Sequence, residues 1–279
     1  MTGILYVVAT PIGNLEDVTL RALRILREVS LIAAEDTRRT ARLLQHYSIS
    51  TRTTSLHAHN EREKTPVLLE RLAAGEAIAL VSDAGTPLIS DPGQTLVAAA
   101  RAAGIRVESI PGPSAVMAAL ASSGLPTPEF VFMGFPPTRS KDRIKWLEDL
   151  SRQSRLAVFF EAPHRIRRTL TDLAAHLGPT RELGIGRELT KAYEELVVQP
   201  IVLHLEYFTH PKGEFTVLVP PAPLDPSPAE APPLAQLQQE FGELTNSDGM
   251  TRREALRELA GRHRMRVNDL YKLLRSGTE

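Results

Sequence analysis

Between residues 4 and 123 the chain alternates short strand-like runs with stretches of helical period, and that alternation leaves few folds open. Ile4 to Ala9, Leu31 to Ala34, Thr53 to Leu56, Ala77 to Ser82 and Val107 to Ile110 are too short for helices. Most are apolar at nearly every position, as strands buried on both faces must be. Helices are predicted over Thr19 to Glu28, from the Glu35-Asp36-Thr37-Arg38 stretch to about Tyr47, from Pro66 at the first helical position to Ala74, over Thr95 to Ala103, and from Ser114 to Ser123. In the first of these, Leu20, Leu23, Leu26 and Val29 form the apolar stripe, with Ile25 at its edge. Strand and helix alternating at this spacing build a mostly parallel sheet flanked by helices.

Gly124-Leu125-Pro126-Thr127-Pro128 interrupts the pattern and marks a first boundary. Strands at Phe130 to Met133, Leu156 to Phe160, near Leu183 to Arg187 and at Phe215 to Val219, with helices over Lys141 to Leu150 and up to His176, form a second α/β unit. Seven prolines between Pro220 and Pro233 make a semi-rigid linker. The remainder is helical: Thr251 and Glu254 are spaced as a capping box, and a further helix starts near Asn268 after a turn at His263 to Arg266. The expected organisation is therefore α/β throughout: one domain over 1–124, a second over 125–219, a linker over 220–233, and a small all-α extension of helix-turn-helix type over 234–279.

Three turns at strand ends, residues 10–14, 82–87 and 111–115, are built largely from Gly, Pro, Ser and Thr. Such loops bring backbone close to a ligand: Gly85 permits dihedrals a side chain forbids, and Pro87 and Pro92 stiffen the central turn. In open α/β sheets ligands sit at the carboxyl ends of the strands, so the three loops are expected to line one cleft. Neither the glycine-rich dinucleotide fingerprint nor the P-loop pattern is present. Small polar groups, backbone and two acidic loops suit a neutral or cationic ligand better than a polyphosphate, and S-adenosylmethionine has that character. Formal net charge is zero, so whole-chain electrostatics favour no nucleic acid. With no cysteine and eight histidines lacking ligand spacing, no metal site is expected. No apolar run reaches about 18 residues and the chain enters a strand at once, so a soluble cytoplasmic protein without membrane contact is expected.

Six blocks carry a resemblance: Ala-Thr-Pro-Ile-Gly-Asn-Leu at 9–15, Glu-Asp-Thr-Arg at 35–38, Ser-Asp-Ala-Gly-Thr-Pro at 82–87, Pro-Gly-Pro-Ser-Ala at 111–115, Glu-Ala-Pro-His-Arg at 161–165 and Arg-Glu-Leu-Thr-Lys at 187–191. In order and spacing over residues 3–219 the chain resembles the ribosomal small-subunit RNA 2′-O-ribose methyltransferases of the tetrapyrrole methylase superfamily. The resemblance implies two α/β domains with S-adenosylmethionine between them, a homodimer, and methylation of a cytidine ribose in the decoding region of 16S rRNA or of the small ribosomal subunit. It implies cofactor contacts from Pro11, Asp83, Ala84, Gly85, Thr86, Ser114 and Ala115. The Gly-Asp-Pro pattern of tetrapyrrole enzymes is replaced here by Asp-Ala-Gly-Thr-Pro, which weakens a tetrapyrrole substrate.

For RNA, residues 138–168 hold nine Lys or Arg against four acids, a patch suited to phosphates or, equally, a solvated helix face. Lys141, Arg143, Lys145 and Arg165 are the candidates there, with Asp36 and Arg38 as positioning groups. General-base candidates are Glu161, His164, Glu188 and Lys191. Each has a structural alternative: Glu161 pairing with Arg165, His164 as a surface histidine, Asp36 as a helix cap. Two other readings stay open at this point, a tetrapyrrole C-methyltransferase and a ligand-sensing regulator that binds nucleic acid through the helical tail.

Overall fold

The computed structural model describes residues 3–221, 233–246, 250–263 and 267–276. The first half runs β1 (Ile4–Val8), α1 (Leu20–Glu28), β2 (Leu31–Ala34), α2 (Thr37–His46), β3 (Thr53–Ser55), α3 (Glu61–Ala73), β4 (Ile78–Val81), α4 (Gln94–Ala102), β5 (Arg106–Ile110) and α5 (Ala115–Ser122). Its five strands form a sheet of order β3-β2-β4-β1-β5, parallel at every pairing. Val7 lies opposite Leu80, Val8 opposite Ile110, and Ala34 opposite Val81. The four strands therefore end at one level, and their following loops emerge along a single edge. β2 and β4 are buried at every position, with one apolar core on each face of the sheet.

Two helices depart from what their sequences suggest. On α1 the buried face is Ala22, Leu23, Ile25, Leu26 and Val29, while Leu20 is 86% exposed. Residues 22, 25, 26 and 29 share one face at helical spacing, and Leu20 lies across from it. Helix α3 begins at Glu61, five residues ahead of Pro66, which sits inside it. A tertiary contact outweighs the proline signal here: the Glu61 carboxylate accepts the Thr95 and Leu96 N–H groups at 2.7 and 3.2 Å. Glu61 thereby caps α4, whose N-cap residue, Gly93, has no side chain to do so.

The second half runs β6 (Phe130–Phe132), α6 (Ser140–Ser151), β7 (Leu156–Glu161), α7 (Pro163–Leu177), β8 (Glu182–Arg187), β9 (Glu195–Pro200), α8 (Ile201–Tyr207) and β10 (Phe215–Val219). Its sheet order is β6-β7-β10-β8-β9, with only β6 and β7 parallel. Strand β9 and helix α8 have no counterpart in the sequence reading. β9 is a half-buried edge strand, so its apolar pattern is weak, and Leu196-Val197-Val198 is its one β-rich signal. Both sheets lie in one compact unit that ends at Pro221.

The C-terminal unit comprises α9 (Leu234–Asn246), α10 (Arg252–Arg262) and α11 (Val267–Ser276), packed around Leu237, Leu244, Ala255, Leu259, Ala260 and Leu270. The capping box is present, with Thr251 accepting the Glu254 N–H and Glu254 accepting the Thr251 N–H. Residues 222–232 of the expected linker and residues 264–266 of the expected turn lie outside the described residues.

Candidate active site

The glycine and proline loops meet because the strands that feed them are adjacent and in register. Thr10 and Gly85 exchange both backbone hydrogen bonds at 2.9 Å, so the loop after β1 and the loop after β4 are stitched together. Thr86 Oγ1 donates to the Pro113 carbonyl at 3.4 Å, which joins the loop after β5. Gly85 has φ +78°, and Leu88 and Ser90 are also left-handed at +75° and +69°. Two non-glycine residues in that region mark a loop held in place by its surroundings.

The second half contributes the loop after β8, where Glu188 and Thr190 have φ +51° and +68°. Thr190 Oγ1 accepts the Asn14 N–H at 3.1 Å. The Lys191 side chain lies so close over Gly13 that a β-carbon there would meet its Cγ at 2.4 Å. Lys191 Nζ is bound to Glu188 at 2.7 Å and to Glu214 at 3.1 Å.

Between these loops lies a cleft with two lobes. The first, about 340 Å3, is walled by Ile12, Ile89, Phe135 and Phe160, and it holds Glu35, Asp83 and Asp91. The second, about 380 Å3, is lined by Pro11, Gly13, Arg39, Arg42 and Lys191. Ile12, Arg39, Asp83, Ala84 and Glu214 border both. The Asp83 N–H donates to Glu35 at 3.2 Å, the Asp83 carboxylate accepts the Asp36 N–H at 3.0 Å, and Arg39 sits 3.4 Å from it. Burial raises the Glu35 carboxyl above its ordinary value, against the pull of the Asp83 N–H. Asp91 is pushed up to about 6, first by burial and further by the charges of Glu35 and Asp83, with the Ser82 hydroxyl opposing. Glu35, Asp83 and Asp91, with Glu214 at the rim and Glu161 buried in the wall, make this partly apolar lobe negative, and Arg39 is the one Lys or Arg among its lining residues. Among the described residues no group of three or more His, Asp or Glu is placed to hold a metal.

The sequence candidates separate by position. Gly85, Thr86, Ser114 and Ala115 line the first lobe, Asp83 and Ala84 line both, and Pro11 lines only the second. Glu35, Asp91, Phe135, Phe160 and Arg39 line the cleft without having been singled out. Asp91 stands in the loop that the sequence makes conspicuous, but no linear pattern says that its carboxyl turns inward. Phe135 and Phe160 come from the other half of the chain and carry no local signal at all.

Several expected roles do not survive the geometry. Glu161 lines the first lobe, yet its side chain has no exposed surface: it accepts from Thr169 Oγ1 at 2.5 Å and from the Ala162 N–H at 2.9 Å, and pairs with Arg165 at 3.3 Å. It is a structural carboxylate, not a free base. Arg165 is spent on Glu161 and on the Pro136 carbonyl, so it offers little to RNA. Arg143 is 4% exposed, bound to Asp172 at 2.7 Å and to Thr169 at 2.8 Å, and cannot reach a phosphate. His164 lines a separate concavity rather than the cleft. Burial would lower the Lys191 ammonium, but its bonds to Glu188 and Glu214 outweigh that and hold it above the ordinary lysine value. Glu188 borders neither lobe; its bonds to Lys191 and to the Glu214 N–H overcome burial and keep it ionised. Asp36 caps α2, and its pairing with Arg38 keeps it well below the usual carboxylate range. Neither borders the cleft. Lys141 and Lys145 remain exposed on α6.

Residues 4–202 match the family described as Tetrapyrrole (Corrin/Porphyrin) Methylases. The chain belongs to the tetrapyrrole methylase family. Among its relatives in that family, the ribosomal RNA small subunit methyltransferase I of Synechocystis sp. is 48% identical over 275 residues, 97% of each chain. The protein of the same name from Vibrio cholerae is 50% identical over 220 residues, 77% of this chain and 76% of that one. Solved tetrapyrrole-methylase folds superpose at lower identity. A diphthine synthase gives a TM-score of 0.63 at 16% identity, covering 78% of this chain and 89% of its own. Uroporphyrin-III C-methyltransferase from Thermus thermophilus, solved with S-adenyl homocysteine, gives 0.56 at 18% identity, covering 78% and 97%.

Proposed function

We propose that this member of the tetrapyrrole methylase family methylates a cytidine 2′-hydroxyl in 16S rRNA, in the decoding region of the small subunit, with S-adenosylmethionine as donor. The observation that carries the reading is the first lobe, where the Glu35, Asp83 and Asp91 carboxylates lie among apolar and aromatic walls at the carboxyl edge of a parallel sheet. A sulfonium and an ammonium suit the carboxylates, an adenine suits Ile12, Phe135 and Phe160, and the half-buried backbone of Ala84 and Thr86 suits polar edges. When bound, that cofactor supplies an activated methyl group for transfer to a ribose oxygen. The names of relatives matched over nearly the whole chain support RNA rather than a tetrapyrrole as acceptor.

The second lobe is lined by Arg39, Arg42 and Lys191, which suit a ribose and its phosphates. None of the four general-base candidates is a free, uncharged base facing the cleft. Catalysis is accordingly assigned to positioning, which supplies up to about 7 to 11 kcal/mol for well-oriented groups. Lys191 acts as a fixed cation beside the acceptor. A homodimer belongs to the same reading, and a cytoplasmic location follows from the ribosomal substrate.

Calorimetry tests the cofactor site. Gly85→Val imposes a side chain on a left-handed residue at a cost of about 1–2 kcal/mol, and it is expected to lower S-adenosylmethionine affinity at least about tenfold. The nearest atom to an added β-carbon is Ile12 Cγ2 at 3.4 Å, so the backbone and not crowding is the cause. Unchanged affinity in a folded variant removes this loop from the site.

A further inference from the structure

We infer that the open concavity between the start of α7 and residues 209–212 docks a backbone phosphate of the RNA, next to the nucleotide held in the cleft. The identity of the anion as RNA rests on the function proposed above. The concavity itself does not. It measures about 330 Å3 and is lined by Pro163, His164, Arg167, Thr209, His210 and Lys212, with no carboxylate among its lining residues.

Two segments far apart in sequence are brought together here. Arg167 Nη1 donates to the Leu205 and Phe208 carbonyls at 2.8 and 2.6 Å, which fixes its guanidinium beside the opening and leaves Nη2 and Nε without a hydrogen-bond partner among the described residues. Lys212 is presented by a turn that is locked in place: Gly213 has φ +91°, and a β-carbon on it would meet Glu188 at 2.4 Å. Helix α7 begins at the same opening with no side chain capping it, so its partial positive charge adds to the side chains.

Some surface cations are paired with neighbouring acids, as in Arg24–Glu28, Arg71–Glu76 and Arg106–Glu108, while others such as Lys141 and Lys145 stand singly on a helix face. Around this concavity no described acid pairs with His164, Arg167, His210 or Lys212. An ammonium, a guanidinium and two imidazoles that line one concavity without a paired acid offer a donor set for a tetrahedral oxyanion. The position matches the cleft. Pro163 lines both the concavity and the first lobe, and Glu214, two residues beyond Lys212, borders both lobes. A phosphate held here would belong to a nucleotide near the one in the cleft, and the contact would be sequence-independent.

The test is His210→Glu combined with Lys212→Glu, compared with Arg62→Glu on α3 as a charge reversal outside the site. RNA binding is measured by fluorescence anisotropy on a 16S rRNA fragment, and methylation of small subunits is followed at several salt concentrations. The double variant is expected to weaken RNA binding and raise the RNA KM about tenfold at low salt. It should also reduce the magnitude of the log–log salt slope by about 1. Affinity for S-adenosylmethionine and kcat at saturating RNA stay at wild-type values, and Lys212→Arg and Arg62→Glu behave as wild type. Wild-type RNA affinity and salt slope in the double variant would overturn the inference. So would weakening of inorganic phosphate binding alone with RNA unaffected, or a parallel loss of cofactor affinity. A wild-type enzyme that binds the fragment yet methylates no RNA would overturn the proposed reaction instead, and the anisotropy comparison would still decide the docking site.

Discussion

Asp91 is held near a pKa of about 6 by burial and by the neighbouring Glu35 and Asp83 charges, against 3.8 for the free side chain. Because the folded value is raised, the stability tied to its neutral form is fully present below about pH 4 and is lost as pH rises through about 6. A cationic ligand has the opposite preference and draws the ionised form. Affinity for S-adenosylmethionine is therefore expected to fall about tenfold from pH 7.5 to pH 5, and Asp91→Asn should bind weakly with little pH dependence over that range. Titration calorimetry at several pH values checks this; a flat wild-type profile would separate Asp91 from the ligand. Residues of this kind were only half legible. Gly85 announces itself, since a glycine between Ala and Thr-Pro after a buried strand has few other uses. Asp91 does not, because what perturbs it is first its burial by the fold and then two carboxylates 56 and 8 positions away in the chain. Arg143 and Lys145 read alike in sequence, and only folding shows that one is buried and the other exposed.

Helices α6 and α7 and strand β7 are joined by a buried polar chain from Asp172 through Arg143 and Thr169 to Glu161 and Arg165. The same two arginines hold the Pro136 and Pro137 carbonyls, next to Phe135 in the cleft wall. Removing Arg143 leaves the half-buried Asp172 carboxylate and the buried Thr169 hydroxyl without that partner. Arg143→Ala is expected to destabilise the protein by about 1–3 kcal/mol, whereas Lys145→Ala on the same helix should stay within about 0.5 kcal/mol. Urea denaturation of both variants checks the contrast, and similar midpoints would mean the network is not structural. At this scale strand and helix alternation gave the architecture away through residue 123, and the Thr251 cap stands where it was expected. Misplaced elements have tertiary causes: Glu61 begins α3 early because α4 needs a cap, and β9 escapes notice because an edge strand buries too little to enforce a pattern.

For the molecule as a whole, the cleft is complete within residues 3–221, and the three-helix unit beyond has its own core. Deleting residues 222–279 should thus leave S-adenosylmethionine affinity unchanged within about twofold while lowering methylation of small subunits. Equal methylation with and without the segment would leave it no part in substrate binding. The central claim concerns the reaction itself, and product mapping tests it most directly. Small subunits from a strain lacking this methylation are incubated with the enzyme and radiolabelled S-adenosylmethionine, and the RNA is then digested with alkali and sequenced at the labelled position. The account predicts label in 16S rRNA in an alkali-resistant dinucleotide, on the 2′-oxygen of a cytidine, and loss of that label with Gly85→Val. Label on a base, on another nucleoside, or only on a tetrapyrrole would contradict it.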